Sequence, residues 1–455
     1  MAGNNMLWTA LQAMLLFAII LSVSAYSMRH TMLSQPQHAG SNAGGNIYQY
    51  DYNSSHVYYV DTNVSYLDMN VGSAIIGTPT LYNGNLIITT MGNLYVLERA
   101  RYDLARGGLM SINMSTGRIN WQREFPNQIM GQPIVVDNVI YIGEGNNAEV
   151  PKPEYLNEVN GMFAINATTG ETIWNFSTDG PEMPTPAFYN GNLIEPATGW
   201  AMIINASSGT VLHSTYIHVP DILSSPLLVD GVAYFGAGSR GANGSGNDYR
   251  FMAMNATNGN LLWTLPLEQW ALGGINDVCA AFWKGTVVTG YLYKSDYDNP
   301  TIIGVNASTG KILWFVNETS LPKPEPVSNL TMMAQRTNFT ENTMSPITIL
   351  DGVAFADSNF YGVLFAINVS DGKVLWTFNT GPSEANPTVF GGHYLAIVND
   401  NGIVYSIDAN DGKLIRTIDT GGPHLSSEMV VTNNYLIMGS MDGRILTIPV
   451  NSLLP

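Results

Sequence analysis

Short apolar runs recur along this chain, separated by two kinds of polar turn that alternate. The first kind is a phrase of Asn or Asp, small polar residues and Gly, with an apolar run on either side. Ile112-Asn113-Met114-Ser115-Thr116-Gly117 leads to Trp121, and Ile165-Asn166 leads through Gly170 to Trp174. The phrase returns with Asn255, Gly259 and Trp263, with Asn306, Gly310 and Trp314, and with Asn368, Gly372 and Trp376. Two more copies, Asn205 to Gly209 and Asp408 to Gly412, reach His213 and Arg416 instead of Trp. The side chain of Asn or Asp folds back onto the backbone two residues on, and Gly takes positive φ at little steric cost, so each copy predicts a hairpin turn.

A second turn precedes each copy, as at Asn83-Gly84, Asp137-Asn138, Asn190-Gly191, Asp230-Gly231, Lys284-Gly285, Asp351-Gly352, Gly391-Gly392 and Asn433-Asn434. These eight turns outnumber the seven Asn-to-Gly phrases by one. The last unit, residues 428–450, runs out after its third strand, and residues 58–69, rich in Val and Tyr, are available as its fourth. The expected fold is all-β: an eight-bladed β-propeller of four-stranded antiparallel blades, closed by its N-terminal segment so that no long sheet edge stays exposed.

Phe163-Ala164-Ile165-Asn166-Ala167-Thr168-Thr169-Gly170-Glu171-Thr172-Ile173-Trp174 resembles the repeat of pyrroloquinoline-quinone (PQQ)-type propellers, with its aliphatic-Asp-x-x-x-Gly-x-x-x-Trp signature. The resemblance runs over about residues 60–450. It implies a fold, whereas the family holds quinone-dependent alcohol dehydrogenases, non-enzymatic outer-membrane-assembly scaffolds and extracellular sensors. The repeated Trp reads as packing between neighbouring blades, and His213 and Arg416 predict two junctions that are packed differently. The dehydrogenase branch implies an adjacent-cysteine ring, a calcium ion and an Asp base. Cys279 is the single cysteine, and no phrase here receives those residues. No cofactor is expected; PQQ with Ca2+ belongs to the alternative reading.

Composition changes where such a propeller works. Charged residues make up 12% of the chain, about half the usual share of roughly 25%. Its net charge is −17. Clustered Lys and Arg for phosphate contacts are missing, which argues against a nucleic-acid partner. A surface solvated by neutral polar groups points to an acid-tolerant exported protein. Residues 1–25 include a stretch apolar enough to cross roughly 30 Å of hydrocarbon, read as a transmembrane signal-anchor or a cleaved signal peptide. Residues 26–57 read as a flexible polar tether, and residues 58–455 as the propeller. The expected location is the cell membrane, single-pass, with the propeller outside, or secretion if the first segment is cleaved.

Thirteen Asn-x-Ser/Thr sequons fit an external surface. Six sit inside the turn phrase, which wants those residues anyway. The other seven, Asn53, Asn63, Asn175, Asn243, Asn317, Asn329 and Asn338, are glycosylation candidates.

Insertions collect in second-to-third loops and connections between blades, at residues 98–108, 144–161, 239–250, 293–301 and 318–344. Strand alternation places all of these on one face, the expected surface for a protein or glycan partner. Segments entering its mouth bring Glu182, Asp221, Asp277, Glu384 and Glu428, which suit a hard cation if they converge and otherwise cap turns. Trp200, Trp270, Tyr293 and Phe360 near the same face suit stacking on a sugar or an apolar peptide, or loop packing. No short metal-binding pair forms among the seven histidines, and no Ser-His-Asp, P-loop or dinucleotide fingerprint has a supporting context. The resulting expectation is a non-catalytic scaffold or receptor. The alternatives are a quinone- or metal-dependent oxidoreductase of the quinoprotein dehydrogenase type and a structural envelope component.

Overall fold

The computed structural model describes residues 47, 49–50, 53–57, 59–91, 107–145, 159–178, 180, 184–197, 199–219, 224–239, 248–267, 271–273, 275, 278–293, 300–317, 346–358, 362–381, 383, 385–422 and 428–455. Eight antiparallel sheets follow one another. Blade 1 covers residues 80–125, blade 2 134–177, blade 3 187–216, blade 4 227–266, blade 5 281–317, blade 6 348–379 and blade 7 388–419. Blade 8 takes three strands from residues 430–449 and its fourth, Asp68–Asn70, from the N-terminal side. Asp68 pairs with Leu446 and Asn70 with Arg444, the closure expected from the missing strand. Blade 5 adds a short strand, Ala271–Gly273, beside its second.

Burial tells the inner strands from the outer. First strands such as Ile134–Val136 are wholly buried, whereas fourth strands such as Thr172–Ser177 alternate between exposed and half-buried. Both turn types form as their residues dictate. The central residues at 83–84, 190–191, 230–231, 284–285 and 351–352 have positive φ, the requirement of a two-residue I′ hairpin. In the longer phrase, the Asn113 side-chain oxygen accepts from the Ser115 and Thr116 amides at 3.0 Å each, and Asn166 and Asn306 repeat the arrangement.

Trp and Gly of that phrase turn out to be one device shared between neighbours. Trp121 lies over Gly170 of the next blade, where a Cβ would stand 2.7 Å from the indole ring. Its Nε1 donates to the Ala167 carbonyl at 3.0 Å. Trp174 does the same with Gly209 and Ala206, Trp263 with Gly310 and Ala307, Trp314 with Gly372 and Val369, and Trp376 with Gly412 and Ala409. Only a residue without Cβ lets the indole lie flat there, and the N–H finds the partner that a half-buried Trp requires.

Three junctions depart from this. At blades 3 and 4, His213 presents only its Cβ to Gly259, and Thr215 donates to the Gly259 carbonyl at 2.8 Å. Beside Arg416 in blade 7, the C-terminal helix α1 (Val450–Leu453) supplies buried Leu453, whose carbonyl accepts from Ser406. Leu67, paired through Thr447, stands at Gly117 to complete the ring.

The hydrophobic N-terminal helix expected at residues 1–25 lies outside the described residues. Among those described, no helix is long and apolar enough to cross a membrane.

Candidate functional site

The end of the expected tether packs into the propeller. First strands are the innermost of each blade, and their inner edges offer backbone groups that need partners. Ile47, fully buried, donates its N–H to Val135 of blade 2 at 2.6 Å. The Gln49 side-chain oxygen accepts from the Leu228 amide of blade 4 at 2.7 Å. The Ser54 and Ser55 carbonyls accept from Phe282 of blade 5 and Ile349 of blade 6 at 2.6 and 2.8 Å. Val60 donates to Val431 of blade 8 at 2.9 Å. One segment therefore touches the first strands of five blades, and the packed part of the chain begins before the expected boundary at 58. Asn53 shapes its turn by accepting from the Ser55 amide at 2.9 Å and donating to the Val57 carbonyl.

Two titratable side chains of this segment, His56 and Tyr50, hydrogen-bond to groups at or near the starts of other blades. His56 is buried, and its Nδ1 donates to the Ile347 carbonyl at 2.6 Å. Burial pulls its pKa down to about 4, against a smaller upward pull from that hydrogen bond. The Tyr50 hydroxyl donates to Glu428, a buried carboxylate at the entry to blade 8. Glu428 thus anchors the chain's own Tyr50. The other four expected mouth carboxylates, Glu182, Asp221, Asp277 and Glu384, lie outside the described residues. Among the described residues no three His, Cys, Asp or Glu side chains gather as a metal set. Cys279 is buried, as a small apolar residue would be.

A second carboxylate, which sequence reasoning used only as a loop boundary, is Glu144 at the end of the second strand of blade 2. It is fully buried, and its Oε1 accepts from the Asn127 amide at 2.7 Å. Its Oε2 meets no hydrogen-bond donor among the described residues. Burial pushes its pKa up to about 7, against the opposing pull of the Asn127 amide and the Arg123 charge.

On the loop-rich face, Trp200 opens the third strand of blade 3 and is 38% exposed. Tyr216, opposite it at the end of the fourth strand, was not singled out by sequence reasoning; its ring centroid is 4.8 Å from that of Trp200. Tyr293 ends a strand, its side chain outside the described residues, and Trp270 and Phe360 lie outside them. Of the glycosylation candidates, Asn63 and Asn175 are exposed, whereas Asn53 is tied into its turn. Asn317 ends a strand, and Asn243, Asn329 and Asn338 lie outside the described residues.

The repeat matches the family described as outer membrane protein assembly factor BamB over residues 77–221, 158–348 and 361–452. The chain belongs to the PQQ-repeat propeller family. It is 26% identical to a tetrathionate hydrolase of Acidithiobacillus ferrooxidans over 308 residues, which cover 62% of this chain and 57% of that protein. The chain thus spans little more than half the length of that relative. It is 21% identical to the assembly factor BamB of Moranella endobia over 325 residues, covering 63% of this chain and 76% of that one. The solved quinohemoprotein alcohol dehydrogenase from Comamonas testosteroni superposes with a TM-score of 0.65 at 11% identity, over 91% of this chain and 82% of that one, a likeness of fold.

Proposed function

We propose that this PQQ-repeat propeller is a membrane-tethered, extracytoplasmic binding scaffold, which holds a protein or glycan partner on the face built from its second-to-third loops and inter-blade connections. The observation that carries this reading is the segment 47–60, which occupies the inner edges of five blades and engages Glu428. With those edges used by the chain itself, recognition falls to the loops. The similarity to an assembly factor over most of that relative's length points the same way.

The test replaces residues 320–342 by a Gly-Ser linker of equal length and purifies both proteins from the native membrane after cross-linking. A partner recovered in equal amount with the unaltered chain, and lost from a variant of unchanged thermal midpoint, is the expected result. Two proteins with the same cross-linking pattern would overturn the assignment to this face.

A second reading is hydrolysis of a polythionate. It is favoured by the match to tetrathionate hydrolase and by Glu144, a buried acid whose pKa near 7 keeps its proton in acid solution. Consumption of tetrathionate by the purified chain, abolished in Glu144→Gln, would displace the scaffold reading.

A further inference from the structure

We infer that the loop-rich face of blade 3 carries a site for a neutral carbohydrate, built on the rings of Trp200, Tyr216 and His218 and bordered by the Asp248–Arg250 ion pair. The inference rests on the binding-scaffold reading and names a ligand class for it.

In a repeat protein, residues needed for folding recur, and the departures need another reason. Trp200 pairs with Tyr216 at a defined register of the third and fourth strands. At that register the other blades hold Gly108 with Glu124, Gly161 with Ser177, Arg250 with Pro266, Thr301 with Asn317, Val363 with Asn379, Ile403 with Asp419, and Arg444 with Asn70. None of these is aromatic. The blade therefore closes well without rings here, and the two in blade 3 are 38% and 49% exposed.

The rings form a graded surface. Trp200 and Tyr216 have centroids 4.8 Å apart at 49°, and Tyr216 and His218 4.3 Å apart at 69°. His218 is exposed and holds a positive φ of 60°. Ile217 between Tyr216 and His218 is buried and donates to the Gly199 carbonyl at 2.8 Å, which pins the strand end. The second-to-third connection of blade 3 is only two residues long, whereas blades 2 and 4 carry the insertions at 144–161 and 239–250.

A polar pair reaches the backbone between Tyr216 and His218. Arg250 of blade 4 donates to the Ile217 carbonyl at 3.4 Å, and its Nε and Nη2 grip both oxygens of Asp248 at 2.6 and 2.5 Å. Both charged side chains remain 31% exposed. Sugars present C–H faces to aromatic rings and hydroxyl pairs to planar carboxylate and guanidinium groups. A self-neutralised pair suits an uncharged ligand, and the polar border disfavours an apolar peptide.

The experiment titrates the full chain with trisaccharides of glucose, mannose, galactose and N-acetylglucosamine, with a sulfated trisaccharide and with an apolar tripeptide. Binding is followed by tryptophan fluorescence and saturation-transfer NMR. At least one neutral trisaccharide should bind saturably. Trp200→Ala and Tyr216→Ala should each weaken it tenfold or more at an unchanged thermal midpoint, with Trp200→Phe retaining most of the affinity. Absence of saturable binding, preference for the sulfated sugar or the peptide, or equal affinity in the alanine variants would each overturn the site. The chain with residues 320–342 replaced should still bind the sugar. Loss of its protein partner with sugar binding intact would leave this site standing and locate the partner on the long loop. Loss of sugar binding there alone, with Trp200→Ala unaffected, would transfer the sugar site to that loop and refute the platform.

Discussion

The junction between blades 5 and 6 and the junction between blades 3 and 4 are built from the same strands and the same turn, yet they hold together differently. In the first, Trp314 is 8% exposed, lies on Gly372 and donates to the Val369 carbonyl at 2.7 Å. In the second, His213 is exposed, and a threonine hydroxyl makes the polar link. The ring tolerates a weak joint because its other joints keep the blades in register. The lesson is that repetition marks what folds the molecule, and interruption marks where it is free to specialise. Blade 3, beside the weak joint, also carries the exposed ring pair of Trp200 and Tyr216.

The largest way to break this contrast is Trp314→Ala, expected to cost about 3–5 kcal/mol by removing a buried indole and leaving a cavity. His213→Ala should stay within about 0.5 kcal/mol, as exposed sites do. Urea unfolding of the two variants side by side checks the difference, and equal losses would refute it. Gly372→Ala attacks the Trp314 joint from the other side. Its Cβ would stand 2.8 Å from the indole at a φ of 72°, which should cost roughly 2–4 kcal/mol from left-handed strain and overpacking together.

Two one-off residues sharpen the contrast through pH. Glu144 has its pKa raised from 4.5 to about 7. Its contribution to stability is fully present below pH 4.5, where folded and unfolded chains both hold the proton, and is lost as pH rises through 7. His56 has its pKa lowered from 6.5 to about 4. Its contribution is present above pH 6.5 and is lost as pH falls to 4. Each contribution is about 3 kcal/mol at most, and the two slopes oppose one another between pH 4.5 and 6.5. Unfolding midpoints at pH 4, 5.5 and 7 should show Glu144→Gln losing stability toward acid and His56→Gln losing it toward neutral pH, while the unaltered chain stays flatter than either. A steeper profile in the unaltered chain would refute the compensation.

The fold was legible because its instructions are local and repeated: Asn113, Gly117 and Trp121 announce a turn and a joint, and the unfinished last unit announces the closing strand. What the local pattern does not contain is the pairing of that Trp with the following Gly, since the two meet across a blade boundary. The segment 47–60 was harder still. Gln49, Asn53, Ser54, Ser55 and His56 have the composition of a linker, and two of its contacts run through the Ser54 and Ser55 carbonyls, which any sequence offers. Ile47, Val57 and the tyrosines between them were the available signal. Trp200 reads from sequence as a ring near a face; that Tyr216 meets it depends on strand register, and that Arg250 reaches the Ile217 carbonyl beside Tyr216 depends on the next blade.

The closing of the ring also sets an order of events in biosynthesis. Leu67 bonds through its N–H to Thr447, 380 residues later, and Tyr50 reaches Glu428 across 378. The strand that closes the ring, made near the start of the propeller, is therefore among the last to find its place, and it must wait while nearly the whole chain is made. Contacts of such long range are slow to form. A chain interrupted before its final blade would keep Tyr50, Val60 and residues 67–70 without their partners there, an exposed end by which unfinished copies can be told from finished ones.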